Sequence, residues 1–273
     1  MHQDGSVPAR TAIPPPLAIA SVGFGLLAMY LLLRLGIAPA MRPALVLSEL
    51  VLVAPGLLAL AAYRVDLVRG LGLWPLDRRT TALMVAAGAA LWLASLGLLE
   101  LQYTFWKPQL DYIEMLRRLY DALRPRGPAD ALLSVAAVAI VPALCEETLT
   151  RGIVLGSLLR PLGATGAVVA SAAVFALMHL DPYRTLFTLV VGLVLGFLRV
   201  RTGSLRASIL AHAVLNTITF VAEPFTDDPS KGLPDPRPGL GLGLFLAGSA
   251  ATIVVFRTLP SLTRPASPPR LGA

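Results

Sequence analysis

Long apolar runs alternate with short polar connections along the chain, and the runs have the length of helices that cross a bilayer. Eight are predicted: Leu17 to Leu33, Ala44 to Ala62, Thr80 to Leu101, Ala131 to Leu159, Gly163 to Leu180, Thr185 to Val200, Leu205 to Ala222 and Gly239 to Phe256. A hydrocarbon core asks for roughly 20 residues per span, so the sixth and eighth runs are short for the task. Between the third and fourth runs, about 111–124, the pattern changes. There Tyr112, Ile113, Leu116, Leu119, Tyr120 and Leu123 fall on one helical face, which predicts an amphipathic helix lying at the bilayer surface. The polar, proline-rich stretches 1–16 and 257–273 are expected to be disordered tails, and 223–239, rich in Pro, Asp and Gly, an exposed loop. The expected fold is all-α, a polytopic transmembrane bundle of about eight spans forming a single domain over 17–256.

Composition removes the soluble alternatives. Of 273 residues 56% are hydrophobic and only 14% charged, with a mean hydropathy of +0.72, outside the range of a soluble domain. A net charge of +7 would suit nucleic acid, but the cations are scattered over short loops between apolar runs. That is a membrane-topology pattern, and nucleic acid is dropped as a partner in favour of membrane lipid. With the N-terminus inside, 13 Lys and Arg fall on the inner side and 10 on the outer, so both termini are expected in the cytoplasm. Arginine far outnumbers lysine, which points to a GC-rich prokaryotic genome and a prokaryotic cell membrane. The first run has Arg10 before it and Ala38-Pro39-Ala40 after it, like a signal peptide, but its length and the spans that follow make it a retained helix. Cys145 is the one cysteine, so no internal disulfide forms; it reads as small buried filler. Glu49, at one end of the second run, reads as interfacial, within snorkelling reach of headgroups.

The fourth run is interrupted by VPALCEETLTRG, residues 141–152, which places Glu146, Glu147 and Arg151 in lipid. Each charge at mid-bilayer costs roughly 2.5–3.5 kcal/mol, so three on one span call for compensation. Glu147 and Arg151 are one helical turn apart and can neutralise each other. Glu146 points about 100° away and must face something polar on another helix. Two further runs carry polar pairs at i,i+4: Phe175 with His179, and His212 with Asn216. The third histidine, His2, is in the N-terminal tail. Two intramembrane histidines with an Asn and a Glu mark a functional site rather than a packed core.

EETLTRG, FALMH and HAVLN, in that order on separate apolar spans, resemble the three motifs EExxxR, FxxxH and HxxxN of the CPBP intramembrane proteases, the CAAX-processing and abortive-infection family. The resemblance covers roughly 131–219. It implies an intramembrane polar cavity open to the cytoplasm and an endopeptidase that hydrolyses a membrane-associated peptide or protein near its C-terminus. Carried over by position, Glu146 would be the general base, His179 would help it activate water, and His212 with Asn216 would stabilise the oxyanion. Glu147, Arg151 and Phe175 would support them. Thr150 departs from the pattern, since an aromatic residue often precedes the arginine; the change is expected to touch lining, not chemistry. The residue chemistry agrees: a carboxylate stripped of water among Leu and Ala is a stronger base than one in solvent, and an Asn amide can donate to a developing oxyanion.

Glu146, His179 and His212 also match the two-His-one-carboxylate set of a catalytic zinc site. They come from three helices without HExxH spacing, so the reading favours no metal, with zinc on those three residues as the alternative. A proton-coupled transporter would use the same Glu and His as a relay, but transporters commonly carry repeated halves and this chain shows none. A noncatalytic scaffold with the same fold is the third reading. Oligomeric state is open; Gly192 and Gly196 form a small-residue face suited to close packing of the sixth span within the bundle. One difficulty stands out. On straight spans Glu146 falls near the inner interface and His179 near the outer one, about 15–20 Å apart, so span four or five must be displaced or broken, with Pro142 the expected kink.

Overall fold

The computed structural model describes residues 10–37, 40–222 and 235–260. The expected tails at 1–9 and 261–273, His2, the Ala38-Pro39 pair and the loop 223–234 lie outside the described residues. Among the described residues every element is helical, apart from one isolated bridge between Arg10 and Val65.

Helices α1 (Pro15–Arg34) and α2 (Met41–Ala62) pair along their length, followed by the short α3 (Leu67–Leu71) and the long α4 (Arg78–Phe105). Each of α3 and α4 starts on an aspartate that satisfies a free backbone N–H: Asp66 accepts from Arg69 and Asp77 from Thr80. Next come α5 (Leu110–Leu123) and α6 (Pro128–Val135). A π turn at Ala136–Ile140, α7 (Val141–Glu147) and a second π turn at Thr148–Val154 lead into α8 (Leu155–Met178). The chain ends in α9 (Pro182–Thr202), α10 (Leu205–Val221) and α11 (Pro238–Thr258), with α11 along α4 and α9 along α8.

Among the described residues six helical stretches are long and apolar enough to cross a membrane, and one of them, Pro128–Met178, is 51 residues long. It is two arms. Gly163 breaks it with φ 67° and ψ 178°, a conformation essentially confined to glycine. The eight predicted runs therefore map onto the helices. The short span, however, is α10, with 17 residues, while α9 and α11 have 21 each; Pro182 and Pro238 start these two helices earlier than the apolar count predicts. Large apolar side chains such as Phe24, Leu58, Leu132 and Leu246 are exposed on the outside, while Ser171, Glu147, Arg151 and His212 are buried. An apolar exterior around a polar interior is the signature of an integral membrane protein.

The Gly163 break also removes the depth problem. Glu146 precedes it by 17 residues and His179 follows it by 16, about 25 Å along each arm at 1.5 Å per residue. Folded back on each other, the arms bring both residues to one level. Pro142, the expected kink, sits instead directly after the first π turn, where Val141 N–H already bonds five residues back to Ala136. The wide turn absorbs the hydrogen bond that proline cannot make.

The stretch 10–16 is packed rather than tail-like. Arg10 C=O accepts from Asp66 N–H at 3.1 Å, Ile13 is buried, and α1 begins at Pro15. At the other terminus Leu259 is buried as well.

Candidate active site

A cavity of about 440 Å³ opens within the bundle, lined by Glu146, Phe175, His179, His212 and Asn216 together with Glu49 and Arg184. The three sequence motifs thus meet in one place, although they lie on α7, at the end of α8 and on α10. Glu147 and Arg151 do not reach the cavity; both are 0% exposed, whereas Glu146 keeps 9%. The π turns on either side of α7 matter here, because one extra residue per turn changes which side chains face inward.

Arg151 ties several elements together around the site. Its Nη1 donates to Glu147 Oε1 and to Thr150 Oγ1, both at 2.7 Å, its Nη2 donates to the Gly192 carbonyl at 2.9 Å, and its guanidinium lies 4.3 Å from the Phe175 ring centre. Gly192 permits this approach: a Cβ there would stand 3.1 Å from Ala172 and 3.3 Å from Arg151. The glycine face of the sixth span thus packs within the bundle, Gly196 likewise against Val168. Thr150, expected to be mere lining, takes part in the network. Its hydroxyl accepts from Arg151 and donates to the Glu146 carbonyl at 2.6 Å, and its own carbonyl accepts from Ser171 at 2.8 Å.

Glu147 has a second partner that sequence spacing did not indicate. His212 Nδ1 lies 3.1 Å from the same Oε1 that holds Arg151. A carboxylate only accepts, so Nδ1 carries the hydrogen and Nε2 is the free nitrogen, 3.7 Å from Glu146 Oε2. His179 is oriented in the same sense: its Nδ1 lies 2.8 Å from the Phe175 carbonyl and donates to it, again leaving Nε2 free. Phe175 presents its edge or face to both imidazoles, at 4.8 and 5.7 Å between ring centres.

Glu49 is a cavity residue that the sequence did not single out. It lines the cavity wall, within electrostatic reach of Glu146, and its Oε2 is buried with no hydrogen-bond partner. No spacing rule connects a residue on α2 with one on α7; its only signal was a lone acid in an apolar run. The amphipathic α5 forms another wall through Leu119, Tyr120 and Leu123. Tyr120 stacks on Phe220, and the Tyr112 hydroxyl donates to Asp181 Oδ2 at 2.6 Å. Burial, and then that hydrogen bond, push the Tyr112 phenol well above its ordinary pKa, so it remains a neutral donor. At its far end α5 is tied down by Arg42, which donates to Asp130 at 2.6 and 3.0 Å, to Ser134 at 2.9 Å and to the Leu123 carbonyl at 3.3 Å.

The zinc alternative fits these positions poorly. Among the described residues no three His, Cys, Asp or Glu side chains are gathered as a metal-binding group, although both histidines keep Nε2 free, the nitrogen a ligating imidazole uses while its Nδ1 is held by a carboxylate or carbonyl. Cys145 is buried, as expected of filler.

Residues 128–218 match the family model described as type II CAAX prenyl endopeptidase Rce1-like. Neither a curated protein nor a solved structure matches the chain.

Proposed function

We propose that the chain, whose residues 128–218 match the family of type II CAAX prenyl endopeptidases described as Rce1-like, hydrolyses a peptide bond of a membrane-associated peptide or protein with a water activated by Glu146. The single observation that carries the proposal is the division of labour between the adjacent glutamates: Glu146 lines the cavity with His179, His212 and Asn216, while Glu147 is withdrawn into a fully buried ion pair with Arg151.

In this reading Glu146 accepts a proton from water as the water oxygen adds to the carbonyl carbon, with the free Nε2 of His179 as the second acceptor that orients it. Negative charge grows on the carbonyl oxygen. The Asn216 amide donates to it, and His212 donates through Nε2 when that nitrogen is protonated, the Glu147 carboxylate behind Nδ1 stabilising the imidazolium. The C–N bond then breaks as the leaving amine takes the proton held by Glu146. Glu147, Arg151 and Phe175 touch no reacting atom and act as positioning residues. Both termini are assigned to the cytoplasm, the side with more cations, and α5 to the bilayer surface; this places the cavity, which is lined by Leu33, Leu123 and Phe220, toward the opposite side and not toward the cytoplasm as the resemblance implies.

The test is cleavage of a reconstituted peptide library by the wild type and by Glu146→Gln, with melting temperatures measured in parallel. Removing a general base lowers turnover by about 10² to 10⁴ and should leave the fold intact. Near-normal cleavage by a folded Glu146→Gln variant would show that the base lies elsewhere.

A further inference from the structure

We infer that a second cavity, about 1090 Å³ at the opposite end of α1 from Leu33, is a binding site for a phosphate group, supplied by the headgroup of an anionic phospholipid. Its walls carry four arginines, Arg10, Arg69, Arg160 and Arg199, and no Asp or Glu. They come from four separate places in the chain: the lead-in to α1, α3, the turn before Gly163, and the end of α9. Such convergence is not a local charge run.

Three of the arginines are exposed at the rim, and Arg199 forms the base. Arg199 is only 8% exposed; its Nη2 donates to the Leu71 carbonyl at 3.0 Å, while its Nε is buried with no hydrogen-bond partner. No carboxylate pairs with this buried guanidinium among the described residues, and a phosphate group held in the cavity supplies the missing counter-charge. At the rim, Arg69 is shared with Asp66 at 3.6 Å and Arg10 lies over the Tyr63 ring at 5.2 Å, whereas Arg160 has no ion-pair partner among the described residues.

The phospholipid source is favoured over free phosphate by position. The cavity lies where four apolar helical segments end, at the level where headgroups sit, and Leu159 and the proline rings at 14, 15 and 161 give it an apolar side for the glycerol and upper acyl chain. Basic pockets between transmembrane helices on the cytoplasmic side are the usual form of such sites. The site is separate from the cavity that holds Glu146, so it stands or falls independently of the proteolytic reading.

The experiment titrates short-chain phosphatidylglycerol, and in a second arm inorganic phosphate, into the full chain held in neutral phosphatidylcholine discs, following the rise in melting temperature. Three proteins are compared: wild type, Arg10→Gln with Arg160→Gln, and a control pair of exposed arginines outside the cavity, Arg78→Gln with Arg206→Gln. All four positions are exposed, so folding is not at stake. Each arginine near an anionic headgroup contributes roughly a five-fold change in affinity, so the cavity pair should weaken phosphatidylglycerol binding roughly 30-fold and the control pair little. Equal losses in the two variants, or no stabilisation of the wild type, would overturn the site. Stabilisation of the wild type by inorganic phosphate alone, to the full extent seen with lipid, would overturn the lipid as its source.

Discussion

Replacing Glu147 by Gln keeps the side chain's shape and an oxygen acceptor for both Arg151 and His212, and removes only the charge. The ion pair is 2.7 Å long and both partners are fully buried. At an effective dielectric of about 20, two charges at that separation attract by about 6 kcal/mol. Arg151 retains the Thr150 hydroxyl, the Gly192 carbonyl and the Phe175 ring, so the net loss should fall in the range of about 3–5 kcal/mol found for broken buried pairs. At about 2–4 °C per kcal/mol for a chain of this size, the detergent-solubilised protein should melt roughly 6–20 °C lower. The double variant Glu147→Gln with Arg151→Gln leaves no uncompensated charge and should recover part of that loss, although each single variant is harmful. The assay is a thermal-melt series on four proteins: wild type, the two single variants and the double. A Glu147→Gln protein that melts with the wild type, or a double variant whose loss is the sum of the singles, would refute the reasoning. If Glu147→Gln is folded but inactive while Glu146→Gln cleaves, the roles of the two glutamates are reversed.

The other predictions concern the break, the metal and the orientation. Gly163→Ala places a Cβ in open space but forces a glycine-only backbone conformation, so stability should fall by about 1–3 kcal/mol, and cleavage should fall with it because Glu146 and His179 share a level through that turn; unchanged melting and activity would show that the arms do not depend on it. Phenanthroline should leave cleavage largely intact, with no loss that zinc specifically restores, since no metal-binding set is gathered among the described residues. A C-terminal alkaline-phosphatase fusion should be inactive, and an active one would reverse the assigned topology.

Much of the architecture could be read from hydropathy because lipid imposes it: a chain that spans a bilayer must satisfy its backbone within helices, so apolar runs become spans almost by necessity. The three motifs were legible for a related reason, since a charge in lipid is costly enough to need a function. What escaped was geometry between runs. Whether Glu49 lies at headgroups or on a cavity wall depends on how α2 packs, and a period carries no such information. The link from His212 to Glu147 joins residues 65 positions apart. Pro142 was the visible breaker, yet the bend fell at Gly163, because a π turn can accommodate a proline whereas a change in the sign of φ redirects the whole chain.

The Phe175 ring touches Arg151 on one side and both intramembrane histidines on the others. Like His212, it joins all three motif segments, and so it makes their histories interdependent. A change at 151, 179 or 212 alters the packing that the other two experience, and a change at 175 alters all three at once. Neutral drift at any of these positions is therefore conditional on the residues already present at the rest. The order in which substitutions arise, and not only their identity, decides which variants of this site are reachable.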